Sequence, residues 1–156
     1  MKYIEITPFD LAERFLGVRE VAGSVDNPQI MAMLKLDNTW PTNDEVPWCS
    51  AFVNYICWLL KLPRSKDLRA RSWLLVGRII DIDNVVEQPE KGFDIVIIKR
   101  GIGQQPGPDV INAQGHVGFF VEFEGQFVKI LGGNQADSVN VSRFLAEDIL
   151  GIRRLV

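Results

Sequence analysis

Three residues of the chain, Cys49, His116 and Asn134, are of the types that nucleophilic amide chemistry requires: a thiol, an imidazole and a side-chain carbonyl. Cys49 stands in Pro47-Trp48-Cys49-Ser50, where Pro47 suits the first position of a helix. The thiol then falls in the first turn, where unpaired backbone N–H groups and the helix dipole favour an anion and are expected to lower its pKa. A cysteine on an apolar helix face can equally be a packing residue. Cys57, two turns further along the same face and far from a helix end, reads as that inert kind.

His116 is the only histidine, and it opens the run Gly115-His116-Val117-Gly118-Phe119-Phe120. In a strand there, Val117, Phe119, Val121 and Phe123 share one face, expected to be the buried one, and His116 shares the other with Gly118, Phe120 and Glu122. Alone it would be a surface or internally satisfied histidine; beside a helix-start cysteine it is a candidate general base. Gly132-Gly133-Asn134-Gln135 closes the next strand. Its asparagine carbonyl can orient the imidazole, although Gly and Asn also simply favour turns.

The elements that must position these groups change character along the chain. Thr7-Pro8-Phe9-Asp10 and Asn27-Pro28 are helix-start signals, the second opening a helix over Gln29 to Leu36. Cys49, Phe52, Val53, Ile56, Cys57 and Leu60 recur at helical spacing and predict a helix from about Pro47 to Leu60. A short helix is expected around Ser72 to Gly77. After Asp81 the pattern becomes β-branched and aromatic, with strands expected at Asp94 to Lys99, His116 to Phe123, Gln126 to Gly132, Ser138 to Val141 and Gly151 to Leu155. Glu124-Gly125 marks a hairpin, and Gly101 to Gly115 a long loop ending beside the histidine. Helices first and strands later predict an α+β fold with an antiparallel sheet packed against the helices.

The 156 residues fit one domain, 1–156, with a composition of 47% hydrophobic and 24% charged residues that suits a globular chain. A net charge of −3 disfavours phosphate-backbone binding, so no nucleic-acid partner is expected. No apolar run approaches membrane-spanning length, and Met1 to Thr7 lacks the apolar stretch of a secretory signal. One His and two Cys show no zinc spacing, and no metal or cofactor is expected.

At these residues the sequence resembles the NlpC/P60 and CHAP superfamily of cysteine peptidases and amidases that cut bacterial cell-wall peptidoglycan, in particular a compact single-domain branch found in phage and bacteria. The pattern is carried by Gly17-Val18-Arg19-Glu20, Asn27-Pro28, Pro47-Trp48-Cys49-Ser50-Ala51-Phe52-Val53-Asn54, Ala70-Arg71-Ser72-Trp73, Gly115-His116-Val117-Gly118-Phe119 and Gly132-Gly133-Asn134-Gln135. The blocks run in family order over nearly the whole chain.

The resemblance implies a papain-like fold with the cysteine helix packed on the sheet that presents the histidine. It also implies Cys49 as nucleophile, His116 as general base and Asn134 as the residue that orients the ring. Many CHAP members carry a glutamate where this chain has Gly132, which leaves Asn134, Gln135 or another residue to orient His116. Asp44, Trp48, Trp73 and Gln135 are candidate substrate contacts, with Trp40 a further aromatic that could stack on sugar. Lys61, Arg64, Lys66, Arg69 and Arg71 against Asp67 give the 61–72 segment a local charge of +4, read first as a solvated linker and second as a basic rim for a carboxylate-bearing polymer.

The function so implied is peptidoglycan hydrolysis at an amide of the cell-wall peptide, as a phage endolysin or a secreted or injected effector. Synthesis in the cytoplasm without a signal peptide, action at the cell wall or periplasm, and export through a holin or a secretion system are the matching expectations. An immunity or inhibitor protein is a partner that this context admits. The alternatives are a papain-like enzyme acting on a protein or other amide, and a non-catalytic wall-binding module.

Overall fold

The computed structural model describes residues 2–23, 25–83 and 90–156. Three helices precede the sheet: α1 (Pro8–Glu13), α2 (Pro28–Leu34) and α3 (Cys49–Leu59). The start signals act as expected. Thr7 caps α1 in a reciprocal box with Asp10, and the Asn27 side chain accepts from Gln29 N–H at 2.9 Å to open α2. Helix α3 begins two residues later than the sequence predicts, because Pro47 lies ahead of the cap residue Trp48, and Cys49 is the first helical residue. The expected helix at Ser72 to Gly77 is a 3-10 helix over Ala70–Leu75.

Six strands follow: β1 (Arg78–Ile80), β2 (Asp94–Lys99), β3 (Gly115–Glu124), β4 (Phe127–Gln135), β5 (Ser138–Leu145) and β6 (Ile149–Arg154). They form one antiparallel sheet in the order β1-β6-β2-β3-β4-β5. The α+β class with an antiparallel sheet matches the expectation. Strand β1 was not predicted, being three residues long and mostly exposed, with little periodicity to detect. A buried bidentate pair, Arg154 Nε and Nη2 to Asp94 at 2.7 and 2.8 Å, ties β6 to the start of β2.

Both faces of the sheet are apolar, which corrects the expectation of one buried face on β3. Val117 and Phe119 pack beneath α3, where Phe52 meets Phe119 edge-on at 6.1 Å. Phe120 joins a second cluster on the other face with Val96, Ile98, Val128, Ile130 and Ile152. A register shift between Phe120 and Glu122 then changes the phase of the strand, so Val121 packs with the first cluster and Phe123 with the second. His116, on the Phe120 face, is consequently 3% exposed rather than solvated.

Helix α3 lies against β3 and β4. Their pairing ends at Phe119–Leu131, leaving 115–118 without a β4 partner. The chain between β2 and β3 carries no helix or strand from 100 to 114.

Candidate active site

Cys49 is the first residue of α3, the helix that packs on β3 and β4. The backbone N–H groups of Val117, the residue after His116, and of Ser50 and Cys49 itself face the thiol and favour its anionic form. The start of α3 is anchored by its neighbours. Ser50 Oγ donates to the Asp67 carbonyl at 2.6 Å and accepts from Trp73 Nε1 at 2.9 Å, while Asn54 Oδ1 accepts from Lys66 N–H at 2.9 Å.

Burial pushes the Cys49 thiol above the ordinary range, opposed by the Val117 N–H, the Arg100 charge and the two helix-start N–H groups. The expected lowering is thereby corrected: the helix start does favour the thiolate, but removing the sulfur from water outweighs it. Burial likewise drives His116 down, to about 4, against the hydrogen bond it donates to Gln135, which raises it, and with the Arg100 charge that lowers it further. The resting pair is accordingly a neutral thiol and a neutral imidazole. Cys57, buried without compensating N–H groups, is pushed up to about 12 and is a packing residue, as the sequence indicates.

The ring of His116 is held by Gln135 and not by Asn134, whose side chain makes no hydrogen bond among the described residues. His116 Nε2 and Gln135 Oε1 are 2.8 Å apart. The Gln135 amide cannot be turned around, because its Nε2 donates to the carbonyls of Asn140 at 2.7 Å and Ile130 at 3.2 Å. Its oxygen therefore faces the ring and assigns the proton to His116 Nε2, leaving Nδ1 as the basic nitrogen. Phe144 stacks on the imidazole at 5.1 Å.

The alternation that favours Asn134 fails for a local reason. Asn134 has φ +57°, and the β4–β5 register shifts between Gly132 and Gln135. That bulge moves the strand by one residue, so Gln135 takes the place that period-two counting gives to Asn134. Gly132 completes the arrangement, since a Cβ there would stand 2.5 Å from Gln135 Oε1 and 3.2 Å from His116 Nε2. A glutamate at this position has no room in this chain. Asn134 lines the clefts on both sides of the pair.

The other candidate contacts are also corrected. Trp48 and Trp73 are fully buried, so neither can stack on a ligand. Trp48 Nε1 donates to Glu20 Oε1 at 2.8 Å, which places the Gly17–Glu20 block behind the cysteine helix. Asp44, 1% exposed, accepts from the N–H groups of Asn27 and Val21 at 2.7 and 3.1 Å and clasps two loops together. Trp40 is exposed, but it lines neither cleft beside Cys49 and His116. Three members of the basic segment are committed inside the fold: Arg64 pairs with Asp37, Arg69 with Asp67, and Arg71 is fully buried against backbone carbonyls.

Two cationic residues, Arg71 and Arg100, have roles here that the sequence does not assign to them. Arg71 donates from Nε to the Gln114 carbonyl at 2.8 Å and from Nη1 to the Gly107 and Val110 carbonyls at 2.7 and 3.1 Å, pinning the long loop beside the site. Its signal was present in Ala70-Arg71-Ser72-Trp73, without a partner to interpret it. Arg100 carries the charge felt by both Cys49 and His116. A cleft of about 480 Å³ opens at Cys49 and one of about 390 Å³ at His116, and Arg100 and Asn134 line both. Among the described residues no group of three His, Cys, Asp or Glu side chains could hold a metal ion.

No family model matches the chain, and no curated protein matches it. Among solved structures it is similar to NlpC1 from Trichomonas vaginalis, with a TM-score of 0.56 and 17% identity over 99% of this chain. This chain spans 46% of that chain's length. The likeness is one of fold: a six-stranded antiparallel sheet with few helices, consistent with an NlpC/P60-like architecture.

Proposed function

We propose that the chain is a cysteine hydrolase that cleaves an amide bond in the peptide of bacterial peptidoglycan. The observation that carries the reading is that Cys49, at the start of α3, and His116, on β3, line clefts that share Arg100 and Asn134, with Gln135 setting the tautomer of the imidazole. The family motifs and the fold likeness to NlpC1 support it.

In the mechanism that follows, His116 Nδ1 takes the thiol proton as Cys49 Sγ attacks the amide carbonyl carbon. The tetrahedral oxyanion is met by backbone N–H groups at the start of α3, and the imidazolium is stabilised by the Gln135 oxygen. Collapse expels the amine, which takes the proton from His116. Water, deprotonated by the same nitrogen, then attacks the thioester; the C–S bond breaks, the acid leaves, and the departing Cys49 sulfur takes the proton back from His116. A neutral resting pair suits this sequence, because the proton moves as the sulfur attacks rather than beforehand.

The chain acts in this reading at the cell wall or periplasm, as a phage endolysin or a delivered effector, reached through a holin or a secretion system. Digestion of purified peptidoglycan by the native chain and by Cys49→Ala tests it, with mass spectrometry of the released fragments. Fragments that require Cys49 are expected, and their masses name the bond. If a folded native chain leaves every wall type intact, the reading fails, and a protein or other amide becomes the substrate to examine.

A further inference from the structure

The clefts that flank Cys49 and His116 share one charged residue, Arg100, and among the described residues no carboxylate lines either of them. The His116 side adds Lys99. The Cys49 side adds Arg69, whose guanidinium is already engaged by Asp67 and by Asn112. Arg100 stands one residue beyond the end of β2, is exposed, and makes no hydrogen bond or ion pair with any described residue. Its guanidinium is thus the uncommitted planar donor at the junction of the two clefts.

A planar fork of N–H donors matches a carboxylate bidentately, which an ammonium does not. The surrounding charge favours the same ligand, since Lys99 adds a second cation and no anionic group among the described residues competes for Arg100 within the clefts. The chain as a whole is acidic, so this cationic junction is local and not a general property of the surface.

We propose that Arg100 is the anion-binding residue of this site and that its substrate carries a free carboxylate beside the scissile amide. The statement about a scissile amide rests on the hydrolase reading above, whereas carboxylate binding does not. A carboxylate seated on Arg100 fixes the register of the chain across Cys49. Amidation of that carboxyl removes both the charge and the second acceptor oxygen.

The test is calorimetric binding to the full chain carrying Cys49→Ser, which holds the ligand without turnover. The probes are a soluble peptidoglycan stem peptide and the same peptide with its free carboxyls converted to methylamides. The free peptide is expected to bind about tenfold more tightly, the loss of one charge-assisted hydrogen-bonded pair. Adding Arg100→Gln should abolish the difference, and Arg100→Lys should restore part of it. Equal affinity for the two peptides, no binding of either, or discrimination that survives Arg100→Gln overturns the proposal. The wall digest separates the two claims: hydrolysis without carboxylate discrimination sinks Arg100 alone, and carboxylate-dependent binding without hydrolysis sinks the hydrolase reading alone.

Discussion

His116 Nε2 meets Gln135 Oε1 at 2.8 Å in a site where both side chains are buried, and this bond rather than one to Asn134 sets the imidazole's tautomer. Gln135→Leu removes the acceptor at similar volume. It should lower kcat on a cleavable stem peptide by about a hundredfold, the scale of a disabled general base, with a smaller effect on KM. Asn134→Gly keeps the left-handed backbone and should cost less. A larger kcat loss in the Asn134 variant would return the orienting role to Asn134.

The low pKa of His116 has a signed consequence for stability. Its folded value, about 4, lies below the ordinary 6.5, so the neutral ring contributes stability that is fully present above pH 6.5. That contribution is lost as pH falls through 4, and it amounts to something on the order of 3 kcal/mol. Denaturant unfolding of the native chain and of His116→Gln at pH 7.5 and pH 4 measures it. The native chain should lose more stability than the variant across that interval, because carboxylates common to both cancel. The acid limb of kcat/KM should also fall near pH 4 and not near 6.5.

Two adjacent glycines separate function from packing. An added Cβ at Gly132 meets the far end of the Gln135 side chain, 2.5 Å from Oε1, whereas one at Gly133 meets the Trp48 ring at 2.6 Å and Phe52 Cβ at 2.9 Å. Gly132→Ala should therefore displace the Gln135 amide and cost activity with little change in melting temperature. Gly133→Ala overpacks the core and should destabilise by about 1–3 kcal/mol. Thermal melts and kcat on the same preparations distinguish the two.

What could be read in the sequence was what local rules control. Helix starts at Thr7 and Asn27, the apolar face of α3 and the alternation of β3 as far as Phe120 follow from capping and periodicity. The bulges after Phe120 and at Asn134 could not be read, because a register shift leaves the residue types unchanged while exchanging their faces. Trp48 and Trp73 looked like ligand contacts because an aromatic's burial is decided by distant partners, here Glu20 and Ser50. The same holds for the Cys49 thiol, whose helix-start position was legible and whose desolvation was not.

That desolvation sets the reactivity expected of the two thiols. Cys49 is buried but edges a cleft, and backbone N–H groups and Arg100 oppose its upward shift; Cys57 is enclosed in the core and pushed up to about 12. Iodoacetamide should label the native chain once, at Cys49, slowly at neutral pH and faster as pH rises beyond the ordinary thiol range. Cys57 should be labelled only after unfolding. Intact-mass analysis over a pH series reads both sites, with Cys49→Ser assigning the single adduct. Rapid labelling that is already complete at pH 6 would mean a preformed thiolate, with the burial cost overcome before substrate arrives, and would replace the concerted proton transfer by an ion-pair mechanism.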